Sequence, residues 1–420
     1  MQIGLRTLSD VTKKYKELLI QDIQSYKIKL EKVNYCICCN NDNLEKLLEV
    51  DRFDLPFGSY VCTNCGLIMT SPRMTQDSLP YYYEKYYHPL NYGKENLDNQ
   101  VALFKSGQGK KIFNTLYPYV KDKKHLDILE IGAGVGNVLD EFRQKSIEKL
   151  MDIELYGTEY SHDCIRQCQK RNLNMIEGNA SSVLKLNKKF DIIILSHVFE
   201  HFIDLEDELN TLVKLLNNDG LLYIEVPGIL KNHNKPYYNF SFLGYAVHAH
   251  MYNFSLITLT NILGKNSFSL LEGNEEVEAV FQIKNIRNNL VSNDYHRIQH
   301  YLKFLEDNQM YAMKQKEIIE KQKERIETRD KEIEKQKERI ETRDKEIEKQ
   351  KERIETRDKE IEKQKERIET RDKEIFEKDN FIKSLKEMAS NVNNSRLSLR
   401  LIKKYKMCIN IVKVIHETIH

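Results

Sequence analysis

The sequence predicts an α/β chain in which a doubly wound, largely parallel sheet carries a small cysteine module before it and a long helix after it. Three observations predict this. Residues 125–136 read HLDILEIGAGVG, an apolar strand running into a glycine turn, and strand-like runs recur at 155–158, 190–195 and 221–226 with amphipathic segments between them. Two Cys-x-x-Cys pairs, Cys36 with Cys39 and Cys62 with Cys65, stand ahead of that alternation. Beyond it, isoleucine returns every seventh residue from Ile319 to Ile382 in a background of Lys, Glu, Arg, Asp and Gln.

The 420 residues hold 66 Lys plus Arg against 64 Asp plus Glu, for a formal charge of +2. That balance argues against a general nucleic-acid binder, whose surface normally carries a clear basic excess. No run approaches the roughly 18 apolar residues of a membrane span, and the first ten residues lack a basic start followed by an apolar core. The expectation is a cytoplasmic protein, at most peripheral at the inner face of a membrane. Five zones are expected: a helical segment at 1–33, the cysteine module at 34–95, the sheet domain at 96–290, a long helix at 291–390 and a basic tail at 391–420.

In the cysteine module, two knuckles present four thiolates, the number tetrahedral zinc takes at about 2.3 Å. Cys36, Cys39, Cys62 and Cys65 are the expected ligands, although Cys38 could stand in for one partner and reduced buried cysteines are the alternative. Gly66 supplies a permissive turn after the second knuckle. The tyrosines at 81–83, 86 and 87 are read as packing residues, with stacking on sugar rings as the other use.

The sheet domain begins with the glycine turn, where the backbone can approach a ligand closely. Glu159 closes the next strand, and an acid there can accept hydrogen bonds from both ribose hydroxyls, a feature that nicotinamide enzymes share. The continuation, Gly178-Asn179-Ala180, then FDIIILSHVFEH at 190–201 and LLNNDGLLYIEVP at 215–227, resembles the class I S-adenosylmethionine-dependent methyltransferases over residues 110–271. The resemblance implies a Rossmann-like methyltransferase sheet. It also implies that Glu130, Gly132, Ala133, Gly134 and Gly136 contact the amino-acid part of the donor, and that Glu159 with Tyr160 holds the ribose. Asn179, commonly Asp in the family, and Ala180 would face the adenine, and Ser196 and His197 would border the methyl group.

Methyl transfer is an in-line displacement at a sulfonium carbon, so the protein aligns two reactants and removes a proton from the acceptor. His197, His201, His248 and His250 are candidate bases, with Glu200 as an orienting carboxylate; a purely structural role for the Glu200-His201 pair is the alternative. His248-Ala249-His250, followed by Tyr252-Asn253-Phe254-Ser255, resembles the His-Glu-His-x-x-Tyr-Phe-Ser stretch of deoxysugar C-methyltransferases, with Ala249 where the Glu would be. Losing that carboxylate disfavours carbon deprotonation, so O-methylation is preferred to C-methylation. Together with the cysteine module, the chain is similar to sugar methyltransferases of deoxysugar and surface-polysaccharide biosynthesis. The expected acceptor is a nucleotide sugar or a surface polysaccharide. An RNA methyltransferase and a catalytically idle scaffold in polysaccharide assembly are the alternatives.

Residues 331–344, 345–358 and 359–372 are identical fourteen-residue units, KEIEKQKERIETRD. A straight helix drifts about 20° per heptad against a spacing of seven, and supercoiling with a partner removes the drift. A coiled coil and a homo-oligomer are expected, although only one apolar layer per heptad makes it weak. The alternative is a solvated single helix held by pairs such as Glu327 with Lys331 and Glu341 with Lys345. The tail carries apolar residues at three- and four-residue steps among Lys and Arg, a basic amphipathic helix for an anionic membrane face, a partner protein of polysaccharide assembly, or its own chain.

Overall fold

The computed structural model describes residues 8–94, 107–238, 240–284 and 287–393, together with Asn410. The amphipathic tail expected at 391–420 therefore lies, but for the backbone at 391–393 and Asn410, outside the described residues.

The first element among the described residues is a helix, Asp10–Gln24, whose N-cap Ser9 accepts the Thr12 amide. Strand β1 (Leu30–Glu31) follows, then β2 (Leu44–Leu48), β3 (Gly58–Cys62), β4 (Ile68–Ser71) and β5 (Arg73–Met74). Two short helices, Leu79–Lys85 and Tyr87–Tyr92, carry the tyrosines. Asp22 ties them to the first helix: it accepts from the hydroxyls of Tyr81 and Tyr86 and pairs with Lys85. Of these, Tyr82 and Tyr86 are wholly buried and pack the module.

After a helix at Gln108–Val120 come β6 (His125–Ile131), β7 (Asp152–Glu159), β8 (Asn174–Glu177), β9 (Phe190–Ser196), β10 (Leu216–Glu225), β11 (Tyr252–Asn253), β12 (Phe268–Gly273) and β13 (Glu278–Ile283). Seven of these form one sheet in the order β12-β13-β10-β9-β6-β7-β8. The five strands from β8 to β10 run parallel, and β13 is antiparallel to both β10 and β12. β6 and β9 are apolar almost throughout because both of their faces are covered. Leu129, Ile131, Ile193 and Leu195 join the core on one face, and Ile128, Ile192 and Ile194 join the core on the other, the two-residue alternation of a strand. Strand order reverses between β6 and β9, the switch point where open α/β sheets place a ligand.

The cysteine module and the sheet domain, expected as separate zones, are stitched together. β11 pairs antiparallel with β4, extending the module's sheet to β11-β4-β3-β2. By its contacts the structure divides into residues 1–316 and 317–420. The long helix runs Tyr295–Asn393, and its start packs on the head through Ile298 and Leu305, both at most 1% exposed, which places those turns with residues 1–316. Burying each such side chain contributes about 1.5–3 kcal/mol. From residue 317 onward the helix is solvated, and its heptad isoleucines, Ile319 to Ile375, are 46–59% exposed. Within the identical units the described ion pairs run three residues apart, from Glu334 to Lys337, Glu348 to Lys351 and Glu362 to Lys365, not between Glu327 and Lys331 or Glu341 and Lys345 as expected; ahead of the units Glu317 pairs with Lys321 four residues on. Among the described residues no helix is long and apolar enough to cross a membrane.

Candidate methyl-transfer site

The glycine turn after β6 holds Gly132, Gly134 and Gly136 all at positive φ. At Gly134 an added Cβ would meet nothing within 4 Å, so this part of the loop faces open space and leaves room for a ligand. Glu159, at the carboxyl end of β7, accepts the Gly134 amide at 2.9 Å on one oxygen and the Tyr160 and Ser161 amides at 2.8 and 3.0 Å on the other. The acid and the loop thus define each other's position. Glu130 lies wholly buried in the strand below, and Ala133 is buried beside it. Tyr160 is largely exposed next to Glu159. Asn179 follows β8, with its side-chain oxygen accepting from Ser181 at 2.7 Å, and Ala180 behind it is fully buried. These residues gather along the carboxyl edge of the parallel strands and are suited to hold S-adenosylmethionine, which when bound supplies an electrophilic methyl on a cationic sulfur.

The second half of the site follows β9. Ser196 ends that strand, and His197 adopts φ 57°, its amide donating to the Glu225 carbonyl at 2.8 Å. Glu200 is 1% exposed and stands among three imidazoles, those of His197, His201 and His250. Burial alone would raise the Glu200 carboxyl, but the imidazoles of His201, His197 and His250 outweigh it and hold the group down at about 2. Burial drives His250 the other way, well below the usual imidazole value, with His201 adding to the effect. His201 donates from Nδ1 to the Ala249 carbonyl at 2.8 Å, and a carbonyl cannot donate in return. His201 Nε2 is therefore an acceptor whenever the ring is neutral.

His248 is elsewhere. It is fully buried, with Nδ1 2.6 Å from an Asp51 carboxylate oxygen, Nε2 2.7 Å from the Tyr82 hydroxyl, and its ring stacked on Phe57. It therefore has no access to an acceptor in the Glu200 cluster.

Sequence reasoning missed several neighbours. Tyr83 and Tyr87 set their rings 6.1 and 6.0 Å from His201, roofing the cluster with side chains of the cysteine module. Glu225, at the end of β10, approaches His197 Nε2 to 3.9 Å. The tyrosine run was visible, but nothing in its spacing says that Tyr83 and Tyr87 face His201 while Tyr81 and Tyr86 face Asp22.

In the cysteine module, Cys36 Sγ lies 3.5 Å from Cys65 Sγ and Cys39 Sγ lies 3.4 Å from Cys62 Sγ. These separations are far beyond a disulfide. They approach the edge of about 3.8 Å that a tetrahedron of four Zn–S bonds would have. The two knuckles are alike: Asn40 (φ 57°) donates its amide to the Cys36 carbonyl at 2.7 Å, and Gly66 (φ 87°) donates to the Cys62 carbonyl at 2.9 Å. All four sulfurs lie within 4.8 Å of one another, an arrangement compatible with zinc, whereas Cys38 lies outside this set.

The seven-stranded sheet, the glycine turn and the acid at the end of β7 make up a methyltransferase-like fold. Residues 105–272 match the family model described as a methyltransferase domain. The malonyl-[acyl-carrier protein] O-methyltransferase of Acetivibrio thermocellus is 32% identical over 121 residues. That alignment covers 27% of this chain and 40% of the length of that relative. Among solved structures, the plantazolicin methyltransferase BpumL, in complex with a pentazolic desmethylPZN analog and SAH, is 16% identical with a TM-score of 0.34, over 42% of this chain and 84% of that chain. The CurJ carbon methyltransferase is 15% identical with a TM-score of 0.36, over 50% of this chain and 64% of that chain.

Proposed function

We propose that the protein transfers the methyl group of S-adenosylmethionine to a hydroxyl oxygen of a sugar, either a nucleotide sugar or a unit of a surface polysaccharide. The observation that carries this reading is the convergence of two half-sites at the carboxyl ends of adjacent strands. The loop and acid of β6 and β7 suit the donor, and the imidazole cluster after β9 suits an acceptor. Glu159 and the glycine turn would hold the donor, and an imidazole would take the proton of the attacking hydroxyl. The rings of Tyr83 and Tyr87 beside polar imidazole edges suit a sugar, which offers both apolar faces and hydroxyls. Ala249, in place of a carboxylate, supports oxygen over carbon as the acceptor atom. Four thiolates would fill the coordination of a structural zinc and leave no open position for chemistry. The repeat helix would then set self-association or reach, and the basic tail would meet a membrane face or an assembly partner.

The experiment is incubation with isotopically labelled donor and a panel of nucleotide sugars, with mass spectrometry for a gain of one methyl group. Labelled product on a sugar oxygen supports the reading. Transfer to RNA, or donor binding too weak to saturate, would replace it with the RNA or scaffold alternative.

A further inference from the structure

The imidazoles around Glu200 surround it without touching it. One carboxylate oxygen lies 3.8 Å from His197 Nδ1, 3.8 Å from His201 Nε2 and 4.0 Å from His250 Nε2. Hydrogen bonds between such groups end near about 3.2 Å. Neither Glu200 oxygen has a hydrogen-bond partner, though the side chain is only 2% exposed, and buried His250 Nδ1 has none either. Stranding a buried carboxylate in this way is costly, and polar groups so placed are normally satisfied by something bound between them. The gap is also maintained from outside. The Ala249 carbonyl fixes the His201 ring through Nδ1 and turns Nε2 toward Glu200, the arrangement by which metal-ligating histidines are usually oriented.

We propose that Glu200, His201 and His250 bind a divalent transition-metal ion through one carboxylate oxygen and two imidazole nitrogens. One ligand atom from each lies within 4.8 Å of the others. A tetrahedron with bonds of about 2.1 Å has edges of about 3.5 Å, so the Glu200 separations of 3.8 Å to His201 and 4.0 Å to His250 need close by only a few tenths of an ångström. Two nitrogens and one oxygen suit Mn2+, Fe2+, Co2+ or Zn2+, whereas the four thiolates of the cysteine module select zinc. Three ligands leave positions open, and the ion also neutralises the buried carboxylate.

What the open position does rests on the methyl-transfer reading; the binding of the ion does not. An acceptor hydroxyl would coordinate there and lose its proton to His197, whose side chain is 41% exposed. Its oxygen then bonds to the methyl carbon as the carbon–sulfur bond breaks, and the sulfonium takes that electron pair and leaves as a neutral thioether. His197 is a base in this arrangement, and His201 and His250 are ligands.

The test uses the full-length protein carrying one equivalent of zinc, the amount the four thiolates take, with Mn2+ added and the electron paramagnetic resonance of the free ion followed, without donor or acceptor. The expected result is one saturable Mn2+ site per chain, weakened at least tenfold by Glu200→Gln and by His250→Gln, with zinc content and circular dichroism unchanged. No saturable binding, or equal affinity in wild type and both variants, overturns the site. Should either variant fold poorly, anomalous diffraction from Mn2+-soaked wild-type crystals decides: a peak among the three side chains supports the proposal, and a peak elsewhere or none overturns it. Because the readout involves no turnover, failure of the sugar reading and failure of the metal site are separate results.

Discussion

His248 and Asp51 lie 2.6 Å apart, both essentially without solvent contact, and the bond joins two segments separated by 197 residues. Asp51 also accepts the amides of Phe53 and Leu55 at 2.9 Å each, so one carboxylate orders a loop of the cysteine module and holds it against the sheet domain. Removing one partner leaves the other buried and unsatisfied, at a cost of about 3–5 kcal/mol. Asp51→Ala and His248→Ala should each lower the unfolding free energy of the head, read from urea titration, by that order. Their double variant should cost less than the sum, which a double-mutant cycle measures.

Glu159→Ala should weaken donor affinity by about 1.5–3 kcal/mol, the size of a lost charge-assisted hydrogen bond. The same change frees the Gly134 amide that Glu159 now accepts, so the glycine turn should loosen as well. Calorimetry with S-adenosylmethionine checks the first effect, and hydrogen exchange at Gly134 checks the second. Unchanged affinity would remove Glu159 from the ribose role.

Much of this was legible in the sequence, and the limits have physical causes. The glycine turn, Glu159 and the buried runs of β6 and β9 announce themselves because local spacing dictates them. His248 and His250 look equivalent on paper, two residues apart in a short segment. In the structure His248 runs back to Asp51, whereas His250 reaches Glu200, and that difference depends on Asp51 and Tyr82, far away in sequence. The pairing of β11 with β4 was equally hidden, since two-residue strands carry no periodicity.

Substituting the cysteines should affect the head as a whole. The Cys65 carbonyl accepts the Asp294 amide at 3.2 Å, and a Cβ on Gly66 would stand 2.8 Å from the backbone of Asp294 and Tyr295. Cys36→Ser with Cys65→Ser should abolish one equivalent of bound zinc and lower the melting temperature of the head, because the energy of binding a structural metal is folding energy. Gly66→Ala should also destabilise, by about 1–3 kcal/mol, since it combines a positive φ with that close approach. Zinc analysis and calorimetric melting separate metal loss from backbone strain.

Glu208 gives the stability a pH dependence of known sign. Burial first, then the neighbouring charges of Asp207 and Asp204, push its carboxyl up to about 7. A group raised in the folded state favours folding fully below its unfolded value near 4.5 and loses that contribution as pH rises through about 7. Stability should therefore fall across that window by about 2–3 kcal/mol, allowing for screening at a partly exposed site. Glu208→Gln, which is neutral at every pH, should flatten the slope and leave the protein more stable than wild type at pH about 8. Urea unfolding at intervals across that range is the measurement.

The repeat helix supplies the last test. Its isoleucines keep a spacing of seven over three identical units and stay about half exposed in the single chain, from Ile340 at 59% to Ile361 at 48%. Exposed apolar stripes of this regularity gain by meeting a second copy, but each heptad offers one apolar layer where stable coiled coils use two. Self-association should accordingly be weak and concentration-dependent. Ile340→Asn with Ile354→Asn removes two layers from the middle of the repeat without touching the head, and should shift the full-length protein toward monomer in sedimentation equilibrium while leaving donor affinity unchanged. Should wild type and variant both sediment as monomers at high concentration, the helix is a solitary rod held by pairs such as Glu348 with Lys351, and its identical units serve length alone.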